Sequence, residues 1–277
     1  MRYLSFRRPN GEASFGQLLH HDRVVDLGGA GGGTLAAALH AGDLERRRQG
    51  DTFSLEDVVL LPLIPNPGKI LCVGLNYATH VAETGREQKD HPAIFTRWAD
   101  TLVAHEQPMV RPRVSTDFDY EGELAVVIGK GGRAIPKGQA LQHVAGYSCF
   151  NDGSVRDWQK HNIQFTPGKN FPGTGAFGPA LVTPDEIPDL GSQRVVTRLN
   201  GNVVQDQPVS DMIWGVADII AYVSAFTPLS AGDVIATGTP GGVGAKRNPP
   251  LWMKAGDLVE VEIGVIGTLK NRIIDEW

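Results

Sequence analysis

Glu121 and Glu123 stand one residue apart in Asp-Tyr-Glu-Gly-Glu-Leu-Ala-Val-Val-Ile-Gly, residues 119–129, at the head of an apolar run. Strand side chains alternate with a period of two, so both carboxylates point to one face and repel each other. A bound cation, a buried Arg or Lys, or bulk water on a solvated face would relieve that repulsion. Water is the ordinary answer for an isolated pair of this kind. Phe-Asn-Asp-Gly-Ser-Val-Arg-Asp-Trp-Gln, residues 150–159, puts Asp152 at the end of another apolar segment, where it can also act as a helix N-cap. Brought together, Glu121, Glu123 and Asp152 offer hard oxygen ligands of the kind that suit Mg²⁺, with Mn²⁺ or Ca²⁺ as substitutes. In Gly-Leu-Asn-Tyr-Ala-Thr-His-Val-Ala-Glu-Thr-Gly, residues 74–85, His80 and Glu83 are three apart and share a helix face. A carboxylate bonded to one imidazole nitrogen raises the basicity of the other. The same spacing also makes a plain surface ion pair.

The elements that must position these residues are short. With 34 Gly and 18 Pro the chain is heavily punctuated, and the segments between are rich in Val and Ile, which favours β structure with many turns. Strands are expected at Met1–Phe6, Ala13–Leu19, Val24–Leu27, Lys69–Val73, Leu124–Ile128, Leu141–Phe150, Val195–Leu199, Val234–Thr237 and Leu258–Ile263. Helices are expected over Thr34–Gln49, Ser54–Val58, the stretch opening at Asn76–Glu83, and an amphipathic Ser210–Phe226 with Asp211 and Met212 in its first turn. Leu61–Pro67 holds three prolines in seven residues and reads as a linker, which divides the chain into a small N-terminal domain, 1–66, and a main domain, 67–277. Gly31, Gly33 and Ala36 fit a G-x-G-x-x-A dinucleotide pattern, but the preceding strand is short and no βαβ repeat follows, so a flexible glycine loop is the better reading.

Composition narrows the classes. A length of 277 residues suits one large domain with a smaller appendage, and a net charge of -5 offers no basic surface for nucleic acid. Cys72 and Cys149 lie far apart with no C-x-x-C spacing, which fits a reducing compartment and no structural zinc. The basic N-terminus has no apolar run behind it, and no stretch approaches the ~18 to 20 apolar residues of a membrane span, so a cytoplasmic protein is expected.

Taken in order, G-L-N-Y-x-x-H-x-x-E, D-Y-E-G-E-L-A-V-V-I-G, F-N-D-x-S-x-R-D-W-Q, G-K-N-F-x-x-x-x-x-F-G-P and A-T-G-T-P-x-G-V-G resemble the fumarylacetoacetate hydrolase family of metal-dependent enzymes acting on acylpyruvates and other 2-oxo acids. The resemblance runs from Pro67 to the C-terminus. It implies a β-rich α+β fold, a mixed β-sandwich roll with a small N-terminal α/β domain, and a homodimer. Glu121, Glu123 and Asp152 fall at the family's metal-ligand positions, and His80 and Glu83 at its water-activating dyad beneath a closing lid. Arg156, Gln159 and Lys169 fall where the family binds the substrate's carboxylate and oxo oxygens, with Lys169 also counted as catalytic, and Thr239 matches a substrate-contacting threonine.

The chemistry implied is Mg²⁺-dependent cleavage of a carbon–carbon bond in an acylpyruvate such as fumarylpyruvate, in catabolism of aromatics or sugars. A 2-oxo carboxylate chelated through one carboxylate oxygen and the keto oxygen would leave the metal placed to stabilise an enolate, while His80 takes a proton from water. Decarboxylation of oxaloacetate, or deprotonation in a 2-hydroxydienoate isomerase, produces the same enolate. Metal and ligands therefore do not choose among these reactions, and a non-catalytic metabolite-binding member is a further alternative. Two departures bear on the distal pocket. Arg97 in Phe-Thr-Arg-Trp stands where many members carry lysine, in a segment expected to shape that pocket, and Gly168–Pro179 is rich in glycine and proline.

Overall fold

The computed structural model describes residues 1–20, 22–30, 32–47 and 50–277. Gly31 of the dinucleotide-like pattern and Gln49 at the expected helix end lie outside the described residues. Among the described residues the fold is β-rich with few helices, as expected. A 12-stranded sheet runs in the order Thr52–Ser54, Arg23–Asp26, Ala13–Leu19, Arg2–Arg7, Gly175–Val182, Val144–Asn151, Gly122–Ile128, Val234–Ala236, Ile70–Gly74 and Ala93–Arg97, with Val59–Leu60 and Leu102–Val103 pairing off that path. A five-stranded sheet follows the order Asn202–Pro208, Arg194–Leu199, Leu258–Ile263, Gly267–Asp275 and Met109–Arg111. Most pairings are antiparallel, but Val234–Ala236 runs parallel to Ile70–Gly74, Leu102–Val103 parallel to Gly175–Val182 and Met109–Arg111 parallel to Gly267–Asp275.

The Gly122–Ile128 strand is buried throughout, which is why its sequence is a continuous apolar run and does not alternate with polar residues. Its two faces go to different cores. Leu124, Val126 and Ile128 join Val195, Val259, Val261, Ile263 and Leu269 of the smaller sheet and Ile219, Ile220 and Val223 of a helix. Ala125 and Val127 pack with Phe150, Phe177, Leu63, Ile64 and Leu35 on the other side. Full burial of each large apolar side chain is worth about 1.5–3 kcal/mol, so a slip of one residue, which would exchange the two faces, is strongly disfavoured.

Several expected boundaries move for identifiable reasons. The helix expected over Thr34–Gln49 covers only Leu35–Ala41, because Thr34 caps its start and Gly42, at φ 65°, ends it. The strand expected from Leu141 begins at Val144, since Lys137–His143 is wound as a 3₁₀ turn. The helix expected from Ser210 begins at Val216 after Gly215, and Asp211 belongs to a separate short turn, Val209–Asp211. Arg23–Asp26 pairs antiparallel on both sides, so the glycine-rich stretch after it is no part of a βαβ crossover.

The segment read as a linker is packed: Leu63 and Ile64 are fully buried and the Leu63 carbonyl accepts a hydrogen bond from Ser5. Arg2–Arg7 pairs with Gly175–Val182 in the larger sheet. A division of the chain at residue 66 is accordingly a proposal about organisation, and main-chain pairing crosses it. No described helix is long and apolar enough to cross a membrane.

Candidate active site

Strand register assembles the carboxylates. Gly122 pairs with Asn151 across the antiparallel ladder, so one step further out Asp152 lies opposite Glu121, and its N–H donates to the Glu121 carbonyl at 2.9 Å. Residues opposite each other share a face of the sheet, and Glu123 lies two positions along on that same face. The result is a cluster in which ligand atoms of Glu121, Glu123 and Asp152 lie within 4.8 Å of one another, all buried.

Three buried cations surround the cluster. Lys169, 1% exposed, places Nζ 2.6 Å from Glu121 Oε2 and 2.5 Å from Asp152 Oδ2. Arg156 Nη1 lies 2.7 Å from Glu121 Oε1, while its Nε donates to Asp119 Oδ2 at 2.8 Å. Arg97 donates from Nη1 to Asp152 Oδ1 at 2.6 Å and to the Gly153 carbonyl, and from Nη2 to Thr174. Four buried carboxylates, Asp119, Glu121, Glu123 and Asp152, thus face three buried cations, Arg97, Arg156 and Lys169.

The excess negative charge falls on Glu123. It has no basic side-chain partner among the described residues; its Oε2 accepts from the Gly238 N–H at 2.8 Å. Burial, then the neighbouring charges of Asp152 and Glu121, push its carboxyl well above the usual range. Glu121 goes the other way. Burial works to raise it, but Arg156 and Lys169, and after them His80, hold it well below that range. Two carboxylates on one face with opposite shifts, and one negative charge left unmatched, form a site into which a divalent cation fits. The donor set is three hard carboxylate oxygens, and the triad can hold such an ion.

Gly238 is required where it stands. It adopts φ 106°, and a Cβ there would lie 2.7 Å from the Asn76 Cβ, so only glycine brings its N–H to Glu123 without displacing the chain. Asn76 ties the same loop down by donating to the Thr237 and Trp214 carbonyls.

The Ala78–Thr84 helix carries the dyad. His80 Nδ1 is 2.7 Å from Glu83 Oε1. A carboxylate only accepts, so Nδ1 carries the hydrogen, and in the neutral imidazole it is Nε2 that holds the lone pair. The second Glu83 oxygen accepts from the Gly242 N–H at 2.8 Å, and Thr79 accepts from the Gly241 N–H, so the glycine loop after Thr239 fixes the helix from below. His80 is 7% exposed and faces the same cavity as Glu121 and Glu123, a space of about 150 Å³.

Arg156, Gln159, Lys169 and Thr239 also line that cavity, so of the residues expected to be metal ligands, catalytic or substrate-binding all but two face it; Glu83 and Asp152 stand behind, each behind a residue that does. Gln159 accepts from Arg156 Nη1 at 3.0 Å, and Gly168 is needed beneath it because a Cβ there would come within 2.5 Å of the Gln159 backbone. The Thr239 hydroxyl donates to the Gly122 carbonyl and accepts from Gln205, so much of its bonding capacity is used inside the protein. Arg156 Nη2 is buried and has no hydrogen-bond partner among the described residues.

Within the segment expected to shape the distal pocket, Arg97 itself does not reach the cavity. Its side chain is fully buried and grips Asp152 from behind, while Phe95, two residues earlier, faces the cavity with the Lys169 ammonium 5.0 Å from its ring centre. The two-residue alternation of the Ala93–Arg97 strand separates Phe95 and Arg97 along the chain but cannot say from sequence which neighbour each meets. Asp119, missed in the sequence, anchors Arg156 and accepts from the Gly244 and Ala245 N–H groups. Its place within Asp-Tyr-Glu-Gly-Glu was the available signal.

Comparison with known proteins agrees with this geometry. The family model for the fumarylacetoacetate (FAA) hydrolase C-terminal region matches residues 69–274. An oxaloacetate tautomerase of Bacillus subtilis (strain 168) is 43% identical over 225 residues, 80% of this chain and 75% of the relative. A mitochondrial oxaloacetate tautomerase of Xenopus laevis is 41% identical over 224 residues, 80% of this chain and 70% of the relative. Among solved structures, a fumarylacetoacetate hydrolase from Exiguobacterium antarcticum superposes with a TM-score of 0.85 at 34% identity, covering 100% of both chains. A 2-hydroxyhepta-2,4-diene-1,7-dioate isomerase from Mycobacterium marinum gives 0.82 at 30% identity, covering 100% of this chain and 99% of the other. With the fold, the buried carboxylate triad and these similarities in accord, the chain belongs to the fumarylacetoacetate hydrolase family.

Proposed function

We propose that this chain is a metal-dependent tautomerase of a 2-oxo acid of the oxaloacetate class, moving a proton to and from C3. The observation that carries the proposal is the His80–Glu83 dyad, with Nδ1 committed to the carboxylate and the ring facing a cavity lined by Glu121 and Glu123 of the acidic triad. The names of the relatives favour tautomerisation over the carbon–carbon hydrolysis expected from the motifs alone. Bound at Glu121, Glu123 and Asp152, a divalent cation, with Mg²⁺ the first choice, would draw charge onto the substrate's keto oxygen.

The protein residues do the rest. Arg156, through the unpartnered Nη2, and Lys169 present positive charge to the substrate's carboxylate and 2-oxygen, with Gln159 and Thr239 beside them. His80 Nε2 takes the proton from C3; the C–H pair becomes the C2–C3 double bond and the carbonyl pair moves to oxygen, whose protonation gives the enol. The reverse sequence returns the keto form. Glu83 holds the imidazole in the tautomer that the step needs.

Hydrolysis of an acylpyruvate is the second reading, favoured by the likeness to the Exiguobacterium hydrolase and by the same dyad, which is also placed to take a proton from water. The cytoplasmic location and the homodimer stay with these proposals, the first supported by two free, buried cysteines. The test presents the Mg²⁺-loaded protein with enol-oxaloacetate, acetylpyruvate and fumarylpyruvate and identifies products by NMR. Faster ketonisation with all carbons retained supports tautomerisation; acetate or fumarate with pyruvate would establish the hydrolase instead.

A further inference from the structure

Gln205 takes no part in the proposed reaction and does not line the cavity, yet it is bonded to residues on two sides of it. It lies on Asn202–Pro208, the edge strand of the smaller sheet, and is buried. Its Oε1 accepts from the N–H of Gly122, the residue between the two glutamates, at 3.0 Å. Its Nε2 donates to Thr239 Oγ1 and to the Pro240 carbonyl, each at 2.8 Å. A main-chain N–H only donates and a carbonyl only accepts, so Gly122 and Pro240 settle which end of the carboxamide is oxygen and which is nitrogen. Both Nε2 hydrogens are then in use, one of them on Thr239.

The Thr239 hydroxyl gives its own hydrogen to the Gly122 carbonyl at 3.0 Å, which again can only accept. Thr237 does the same toward the Leu124 carbonyl, so both hydroxyls turn back onto the Gly122–Ile128 strand. A hydroxyl has one hydrogen and two lone pairs. With the hydrogen given to Gly122 and one lone pair taken by Gln205, Thr239 keeps a single lone pair among the described residues, on a side chain that lines the cavity beside Glu121, Glu123 and Lys169. A ligand atom that meets this lone pair must bring a hydrogen. The oxygens of a carboxylate or a ketone have none to give, and the hydroxyl of an enol has one.

We propose that Gln205 is a positioning residue, which holds the Thr239 hydroxyl as a hydrogen-bond acceptor toward the cavity, so that the site favours the enol of its ligand, through the O–H on C2, over the keto form. The inference rests on the proposed function, which places the 2-oxo acid against this wall. The contact exists only while the 2-oxygen carries a proton, so it favours the step that protonates that oxygen.

The test compares the binding of glycolate, whose C2 hydroxyl can donate, with that of oxalate and pyruvate, which carry only acceptors there, to the Mg²⁺-loaded protein by calorimetry. Thr239→Val keeps the branched shape and removes the acceptor; it should weaken glycolate about fivefold, the scale of one hydrogen bond, and leave oxalate and pyruvate within about twofold. Thr239→Ser should restore the wild-type ratio of glycolate to oxalate affinity. Gln205→Met removes the donor that fixes Thr239, frees the hydroxyl to turn toward an acceptor, and should lower that ratio by a smaller factor. If Thr239→Val does not hold its fold, the ratio in Gln205→Met decides alone. A loss shared equally by all three ligands would show both residues to be merely structural, and a loss confined to oxalate and pyruvate would show that Thr239 donates; either result overturns the proposal. Failure of the wild type to bind any of the three is a different result, and it removes the functional reading on which the proposal stands.

Discussion

At the floor of the pocket and just behind it, Arg97, Asp119, Glu121, Glu123, Asp152, Arg156 and Lys169 are buried and bonded to one another or to backbone; at its mouth, Arg86, Lys160 and Lys246 are exposed and hold no carboxylate among the described residues. The same charge types therefore do different work in the two places. In a low-dielectric interior each pair is strong and costly to break, so the floor fixes geometry and with it the class of reaction. In water each charge is screened and weak alone, so the side chains at the mouth can change partners. The dyad lies at the boundary, with His80 nearly buried and Glu83 tied to the glycine loop.

The largest effects should come from the triad. Both Asp152→Asn and Glu123→Gln should reduce turnover to the background of free Mg²⁺, measured as enol loss, because each removes a charged ligand. Their effects on stability should be opposite. Asp152→Asn leaves Arg97 and Lys169 without their shared carboxylate and should destabilise the protein by about 3 kcal/mol or more in chemical denaturation. Glu123→Gln removes the one carboxylate with no cation beside it and should stabilise the metal-free protein at neutral pH. If both substitutions destabilise alike, the assignment of the excess charge to Glu123 is wrong.

Next in size is the dyad. His80→Ala should lower turnover on the order of a hundredfold, the usual scale for loss of a general base, and Glu83→Gln by less, since the imidazole stays while its tautomer is no longer fixed. Arg97→Lys should weaken Mg²⁺ binding by about tenfold in calorimetry, because one ammonium cannot replace the contacts that the guanidinium makes to Asp152, Gly153 and Thr174.

The smallest effect is a pH dependence. Glu123 is held protonated in the metal-free fold above the pH at which it ionises in the unfolded chain, so the unfolded state loses its proton first. Stability contributed by the neutral form is complete below the ordinary glutamate range and declines as pH rises through the raised value. With EDTA present, the melting temperature of the wild type should therefore fall relative to Glu123→Gln as pH rises from that range, and saturating Mg²⁺ should abolish the difference. Parallel curves in EDTA would contradict the shift.

The floor was more legible in the sequence than the mouth, for a physical reason. Glu121 and Glu123 share a face through the two-residue period alone, and His80 and Glu83 share one through the helical period, so local geometry suffices. Asp152 needs the register between Gly122–Ile128 and Val144–Asn151, which pairs distant segments and is set by two cores packing on opposite faces of one strand. Arg97 shows the limit: its type stands out, but the carboxylate it grips lies just past the end of a strand far along the chain. Element ends moved where turns compete with periodic patterns, at Gly42, at Gly215 and through the 3₁₀ turn before Val144. Arg86, Lys160 and Lys246 belong to no spacing pattern at all; only the tertiary fold gathers them.

The central claim is that His80 moves the C3 proton of a 2-oxo acid bound over the triad. Its most direct test is the exchange of the C3 hydrogens of oxaloacetate with D₂O, followed by proton NMR with the Mg²⁺-loaded wild type and with His80→Ala. Exchange should run well above the rate given by Mg²⁺ in buffer, precede any release of CO₂ or pyruvate, and fall about a hundredfold in the variant. Exchange no faster than buffer, or exchange unchanged in His80→Ala, would contradict it.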